Sequence, residues 1–311
     1  MELTPKQVAR AIGVSDASLK RWCDKGVLPA YRTAGGHRRL PLSGVVEFLR
    51  KSGRRLVDPA VLGLPPVTGS GTTVVSRAAT QLVDAMRSND ESQYLRIVFD
   101  LYLAGQRVRE ICDRVVSPAL CEVGELWHSG KLDVFEERRA SEITMRTLYR
   151  LAAFMPPVGN DAPRAVGGNY SGDNHVIPSI MVELALREIG WRADSYGPNL
   201  PQSSLCELLR RDRPRLFWLS VSWIADPTEF LAGCDRVFAT ASELGVAVVV
   251  GGRQLSEDVR RQMRYSAFCD HLEHVAAFAR TLQPDTPEPT TISNAVDDAE
   301  WSHVAATGLN N

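Results

Sequence analysis

A chain of 311 residues with 44% apolar and 23% charged content can bury a sizeable core and has room for two or three domains. No apolar run approaches the roughly 18 residues of a membrane helix, and MELTPKQVAR lacks the core of a signal peptide, so a cytoplasmic protein without membrane attachment is expected. The net charge of -1 hides an asymmetry, because residues 1–58 hold 12 Lys and Arg against 5 Asp and Glu while the remainder is acidic; a polyanion is expected to bind the N-terminal segment.

In that segment, LTPKQVARAIGVSDASLKRWCDKG offers Thr4 as an N-cap, Pro5 at the first helical position and Gln7 to complete a capping box. Gly13 breaks the helix and Ser15 can cap a second one, from which Lys20 and Arg21 project while Leu19 and Trp22 face inward. This is a helix-turn-helix pattern. YRTAGGHRRL then reads as a β-wing, a Gly-Gly turn between Arg32 and His37, Arg38 and Arg39. An isolated run of arginines is usually a solvated face; here the spacing argues for phosphate contacts.

A Pro/Gly-rich break, DPAVLGLPPVTGSGTT, leads to helical spacing from about residue 72 to 155, with Val75, Ala78, Ala79, Leu82, Val83 and Met86, then Val108, Ile111, Val115 and Val116. Four helices fit. ELWHSGKLDVFEERRAS ends one of them at Trp127-His128, stops at Gly130 and starts the next with Asp133 as N-cap and Glu136 three residues on. Glu137 shares a face with Ala140, Thr144, Leu148 and Leu151, so a carboxylate sits on the stripe turned toward the bundle and needs a partner there.

After a second break, MPPVGNDAPR, short apolar runs alternate with helical patterns: RAVGGNY, a helix near 179–189, RADSYG, a helix from 202, RLFWLSVSW, a helix to about 244, VAVVVGG, and a final short pair ending in HVAAFARTL. That is βαβ repetition around a mostly parallel sheet, whose ligands sit at the carboxyl ends of the strands. The last 28 residues, 284–311, lack apolar periodicity and are expected to be a flexible tail. Six scattered cysteines without a CxxC pair suit a reducing compartment and leave a zinc site without ligands. One loop stands out. SGDNHVIPS places His175 two residues after Asp173, between a strand and a helix, where a carboxylate can take one ring N–H and leave the other nitrogen to bind a metal.

These motifs resemble those of MerR-type transcriptional regulators with a C-terminal cobalamin-binding domain, light-dependent repressors of the CarH/LitR kind. The head matches their RT.gGHRR wing at Arg32, Thr33, Gly35, Gly36, His37, Arg38 and Arg39; the resemblance implies that Ser18, Lys20 and Arg21 enter the major groove while the wing holds phosphates. Trp127, nine residues and Glu137 match their W-x9-E-H signature, with Arg138 in place of the histidine. In that family the tryptophan covers the upper face of the corrin and the acid bonds adenosine, and the position of His128 can take the upper cobalt site after light. GDNHVIP resembles the (D/E)-x-H-x-x-G loop that supplies the lower cobalt ligand, with Pro178 in place of glycine. Ser220-Val221-Ser222 stands for S-x-L, and Gly251-Gly252 for the later glycine pair, at the family's spacing; the serine and glycines there line a slot for the displaced nucleotide tail.

The fold class expected is therefore multidomain: a winged helix-turn-helix at 1–58, a four-helix bundle cap at 72–156 and a Rossmann-like α/β cobalamin-binding domain at 163–283. The function implied is a DNA-binding repressor, not an enzyme, that uses adenosylcobalamin as a light-sensing chromophore. It would bind a double-stranded operator as a homo-oligomer, dimer or tetramer, since one such head offers little contact area. The alternative is a cobalamin-independent MerR-type regulator whose C-terminal domains bind another ligand or a protein partner. A cobalamin mutase or methyl carrier fits less well, because no substrate barrel accompanies the basic head.

Overall fold

A computed structural model describes residues 1–65 and 75–283; the tail expected at 284–311 lies outside the described residues. The head folds as its capping residues dictate. Thr4 accepts from the Gln7 amide and the Gln7 side chain accepts from the Thr4 amide, closing a capping box on α1 (Pro5–Ile12). Gly13 ends that helix at φ +73°, a conformation that costs a side-chain-bearing residue about 1–2 kcal/mol. Ser15 caps α2 (Asp16–Asp24) by accepting from the Ser18 amide. Strands β1 (Glu2–Leu3), β2 (Tyr31–Arg32) and β3 (Arg38–Pro41) form an antiparallel sheet in the order β1-β3-β2, and the β2–β3 hairpin is the predicted wing.

Helix α3 (Leu42–Ser52) carries the head onto the next layer. Its Arg50 lies 3.8 Å above the Tyr102 ring and donates to the Tyr102 carbonyl at 2.6 Å. Leu62 is fully buried after a 3-10 turn at Pro59–Leu62, so the start of the Pro/Gly-rich break packs on the head instead of spanning free. The bundle consists of α4 (Val75–Arg87), α5 (Glu91–Leu103), a third helix in two pieces, and α8 (Val134–Phe154). The pieces are α6 (Val108–Ile111) and α7 (Ser117–His128), joined by a π-helical turn at Cys112–Val116. Such turns insert one residue into the helical ladder and swing the faces on either side.

The α/β layer has five parallel strands in the order β5-β4-β6-β7-β8: β4 (Arg164–Asn169), β5 (Arg192–Ser195), β6 (Leu216–Ser220), β7 (Ala247–Gly251) and β8 (Ala267–Phe268). Helices α9 (Val176–Glu188) and α13 (Leu272–Thr281) cover the face that holds Trp191 and Trp218, while α10 (Gln202–Asp212) and α11 (Pro227–Glu243) cover the other. A short α12 (Glu257–Arg261) was not legible in the apolar pattern. The chain goes from β4 out to β5 and returns on the opposite side to β6, so the carboxyl ends of β4 and β6 flank the switch point where ligands bind in such sheets. Among the described residues no helix is long and apolar enough to cross a membrane.

Candidate functional site

The predicted histidine loop lies at that switch point, between β4 and α9. Helix α9 starts at Val176, three residues before the apolar spacing predicts, because Asp173 Oδ1 accepts the His175 amide at 3.0 Å and leaves His175 at the N-cap. The same oxygen lies 2.8 Å from His175 Nδ1. Its other oxygen accepts from the Ser222 amide at 2.7 Å and from Asn169 Nδ2 at 3.2 Å. Asp173 is fully buried, yet it holds four hydrogen bonds. Burial works to raise its pKa, and the bonds from the His175 ring, the His175 amide and Ser222 outweigh that and hold it below the usual carboxylate range.

An ionised carboxylate can only accept, so Nδ1 of His175 carries the proton. Nε2 then presents its lone pair outward from an imidazole whose side chain is 57% exposed. The bond to Asp173 raises the pKa of the ring above its ordinary value, against the opposing effect of partial burial. Arg138 lowers it and Glu137 raises it, which places the start of α8 within electrostatic reach of the loop. The structure thus joins Asp173, His175, Ser222 and Asn169 by hydrogen bonds, with Glu137 and Arg138 close enough to act on the ring by charge alone. Such a donor set, one imidazole oriented by a buried carboxylate, suits a metal that brings most of its own ligands; among the described residues no cluster of three or more His, Cys, Asp and Glu could cage a bare ion.

On the bundle side the predicted residues are less tightly held. Glu136 accepts from the Asp133 amide at 2.7 Å, as its spacing predicts. Glu137, on the buried stripe, finds its partners in the Ser141 hydroxyl at 3.1 Å and in Arg138 at 3.7 Å. Trp127 is 47% exposed and His128 is exposed, both in the last turn of α7. Neither makes a hydrogen bond or ring contact with the His175 loop among the described residues.

Pro178 is half-buried in the first turn of α9, where its missing N–H costs nothing. Ser220 is buried at the end of β6. A Cβ on Gly251 would fall 2.4 Å from the Cys269 carbonyl oxygen, and one on Gly252, at φ +126°, would fall 2.1 Å from that of Val221. Both positions require glycine for the chain's own packing. Spacing did not reveal Asn169, whose amide ties Asp173 to the His175 carbonyl at 3.1 Å, nor the hydrogen-bonded chain Trp218–Ser179–Ser195. A polar residue ending a strand that leads to the loop was the available signal for Asn169. A cavity of about 530 Å³ lies elsewhere, between α3 and the turn after α8, and no predicted site residue lines it.

In the head, Lys20, Arg21, Arg32, Gly36 and His37 are exposed, and Ser18, Thr33 and Arg39 are half-exposed. Arg32 donates to the Gly36 carbonyl at 3.1 Å, bracing the wing tip. Arg38 turns inward: it bonds Asp24 at 2.5 Å and the Lys20 carbonyl at 3.4 Å, fastening the wing to α2. Its side chain is only 20% exposed.

Residues 2–53 match the family described as a helix-turn-helix domain, and residues 78–152 match a B12 binding domain. The chain is 28% identical to the HTH-type transcriptional repressor CarH of Myxococcus xanthus across 78% of this chain and 86% of that protein. It is 24% identical to the HTH-type transcriptional repressor CarA of the same organism, across 84% and 90%. The solved monomethylamine corrinoid protein of Methanosarcina barkeri is similar at a TM-score of 0.56 and 16% identity, over 65% of this chain and 96% of that one, a likeness of fold. The architecture matches the expected fold class: a helix-turn-helix head, a helical bundle and a Rossmann-like α/β domain with a parallel five-stranded sheet.

Proposed function

From a helix-turn-helix head joined to a B12-binding module, in a chain similar over most of its length to the repressors CarA and CarH, we propose a DNA-binding transcriptional repressor, cytoplasmic and not an enzyme, whose switch is a cobalamin. The observation that carries this reading is the Asp173–His175 pair, prebuilt at the sheet's switch point. His175 Nε2 would hold the cobalt, and Asp173 would fix its tautomer and make it a stronger donor. Glu137 and Trp127 would close from above, with His128 in the same turn of α7 as a second imidazole. When bound, adenosylcobalamin supplies a light-labile cobalt–carbon bond.

The residues of this chain do the rest. The end of α7 and the start of α8 would form a lid with one rest position over a loaded cofactor and another without its light-labile group, so that light would shift the balance between two arrangements of lid and sheet. In the dark arrangement a homo-oligomer assembles on a double-stranded operator; in the light it comes apart. On each head Ser18, Lys20 and Arg21 read the major groove, and Arg32, Thr33, Gly36, His37 and Arg39 hold the backbone, with Arg38 bracing them. Absorption spectra of the chain loaded with adenosylcobalamin, before and after green light, test the reading beside His175→Ala, with size exclusion and operator binding on the same samples. A colourless protein of unchanged size would sink it.

The substitutions Arg138, Pro178 and Ser222 favour a second reading, a MerR-type regulator that works without the cofactor and uses the same crevice for another ligand or a protein partner. Operator binding that is indifferent to both cofactor and light is its signature.

A further inference from the structure

We propose that Trp218 plugs the channel a cobalamin's lower nucleotide arm would enter, so that this chain selects corrinoids lacking that arm. The proposal rests on the cofactor reading above and sharpens it. A corrinoid held by His175 Nε2 has given up the lower position of its cobalt to protein. The base on its arm must then leave the ring and run down beside His175, between the carboxyl ends of β4 and β6 and the start of α9, toward Ser220.

That path is already filled. Trp218 precedes Ser220 by two residues on β6 and points to the same face, so it lies about 7 Å deeper along the strand. It is 1% exposed. Its ring lies flat on Gly167 of the neighbouring strand β4, the residue opposite it in register, and even a Cβ there would fall 2.1 Å from the indole. The indole N–H donates to Ser179 Oγ at 2.8 Å, in the second turn of α9 just below the channel mouth, and Ser179 Oγ is 3.0 Å from Ser195 Oγ on β5. One hydrogen-bonded chain thus spans from β6 through α9 to β5 across the channel. Pro178 adds its ring next to Ser179, at the point where a glycine would leave room.

Interiors packed to the density of organic crystals have no space for two planar heterocycles in one slot. A nucleotide arm must therefore expel Trp218, which breaks the bond to Ser179, leaves that buried hydroxyl without its indole donor and returns the indole to water. A corrinoid without the arm makes the same bond to His175 and displaces nothing.

Adenosylcobalamin and adenosylcobinamide differ in the arm alone, and equilibrium dialysis of each against the full chain in darkness measures the choice. The expected result is binding of the cobinamide at least about 10-fold tighter, equivalent to about 1.4 kcal/mol, and its loss in His175→Ala. Trp218→Ala is expected to raise affinity for the cobalamin about 10-fold while leaving the cobinamide within about 3-fold of the unsubstituted protein. Should that variant not fold, Trp218→Leu and the unsubstituted chain carry the comparison. Tighter binding of the cobalamin by the unsubstituted chain overturns the plug and leaves the cofactor reading standing. Retention of neither corrinoid overturns both.

Discussion

The two ends of the third bundle helix are held in opposite ways. At its start, Arg109 is 4% exposed and bonds Glu188 of α9 at 2.7 Å and Glu273 of α13, while the Val108 amide donates to Glu188 at 2.5 Å. One turn on, the Asp113 carboxylate accepts from the Leu272 and Glu273 amides at 3.0–3.3 Å and caps α13. At its far end Trp127 and His128 stand in solvent beside Gly130 at φ +69°. The lid of the proposed function would need this difference. It would be fixed where it pivots and loose where it meets what it covers, and the pinned contacts end within the π-turn at Cys112–Val116.

The pinned end should break hardest. Arg109→Ala leaves Glu188, whose side chain is 15% exposed, without its cation; removing one partner of a buried pair costs about 3–5 kcal/mol. Chemical denaturation should show that loss, and limited proteolysis should cut between bundle and sheet, around residues 155–163, before either unit is degraded. Next in size is the prebuilt side of the crevice. Asp173→Asn replaces an acceptor oxygen by an N–H group among four donors, so at least one of them faces another donor. Corrinoid affinity should fall about 10–100-fold, the usual cost of losing the group that orients a ligating imidazole. Titration in the dark checks it, and an unchanged affinity would mean that His175 does not hold the metal.

The same contrast of fastened and free recurs in the head, one residue apart. Arg39→Ala should weaken binding to all DNA sequences alike and lower the salt slope by about 1, as for the loss of one phosphate contact. Arg38→Ala removes instead the bond to Asp24 that fastens the wing to α2, and should reduce affinity with a smaller change in slope. Fluorescence anisotropy across a salt series separates the two, and equal slope changes would return Arg38 to the phosphate-binding set.

Local chemistry was legible in the sequence and long-range chemistry was not. Thr4, Gln7, Ser15 and Glu136 act on amides within three residues, so spacing alone finds them. Asp173 and His175 are two residues apart, and their bond was equally readable. Arg109 meets Glu188 and Glu273 across 79 and 164 residues, and Trp218 meets Ser179 across 39. No periodicity encodes such pairs. The tryptophan in RLFWLSVSW reads as one more apolar residue of a buried strand, and only the register shows that its indole packs on Gly167 of the neighbouring strand. The partner that Glu137 needed could be demanded from its helical face, but Ser141 could not be singled out among the groups within reach.

The smallest expected effect tests the free end most sharply. A half-exposed tryptophan that only finished a hydrophobic core would still bury much apolar surface, and truncating it would destabilise the protein by something approaching the roughly 3 kcal/mol or more seen for core aromatics. Trp127 is 47% exposed at the last turn of its helix, so Trp127→Ala should leave the stability of the cofactor-free protein within about 0.5 kcal/mol of the parent, the range of surface substitutions. The same variant should lose the difference in stability between loaded and free protein that the parent gains by closing the lid. Thermal unfolding of both proteins, free and loaded in darkness, gives the four numbers needed. A large loss in the free state would make Trp127 a structural residue, and the open end of the helix would then be part of the core and not a lid.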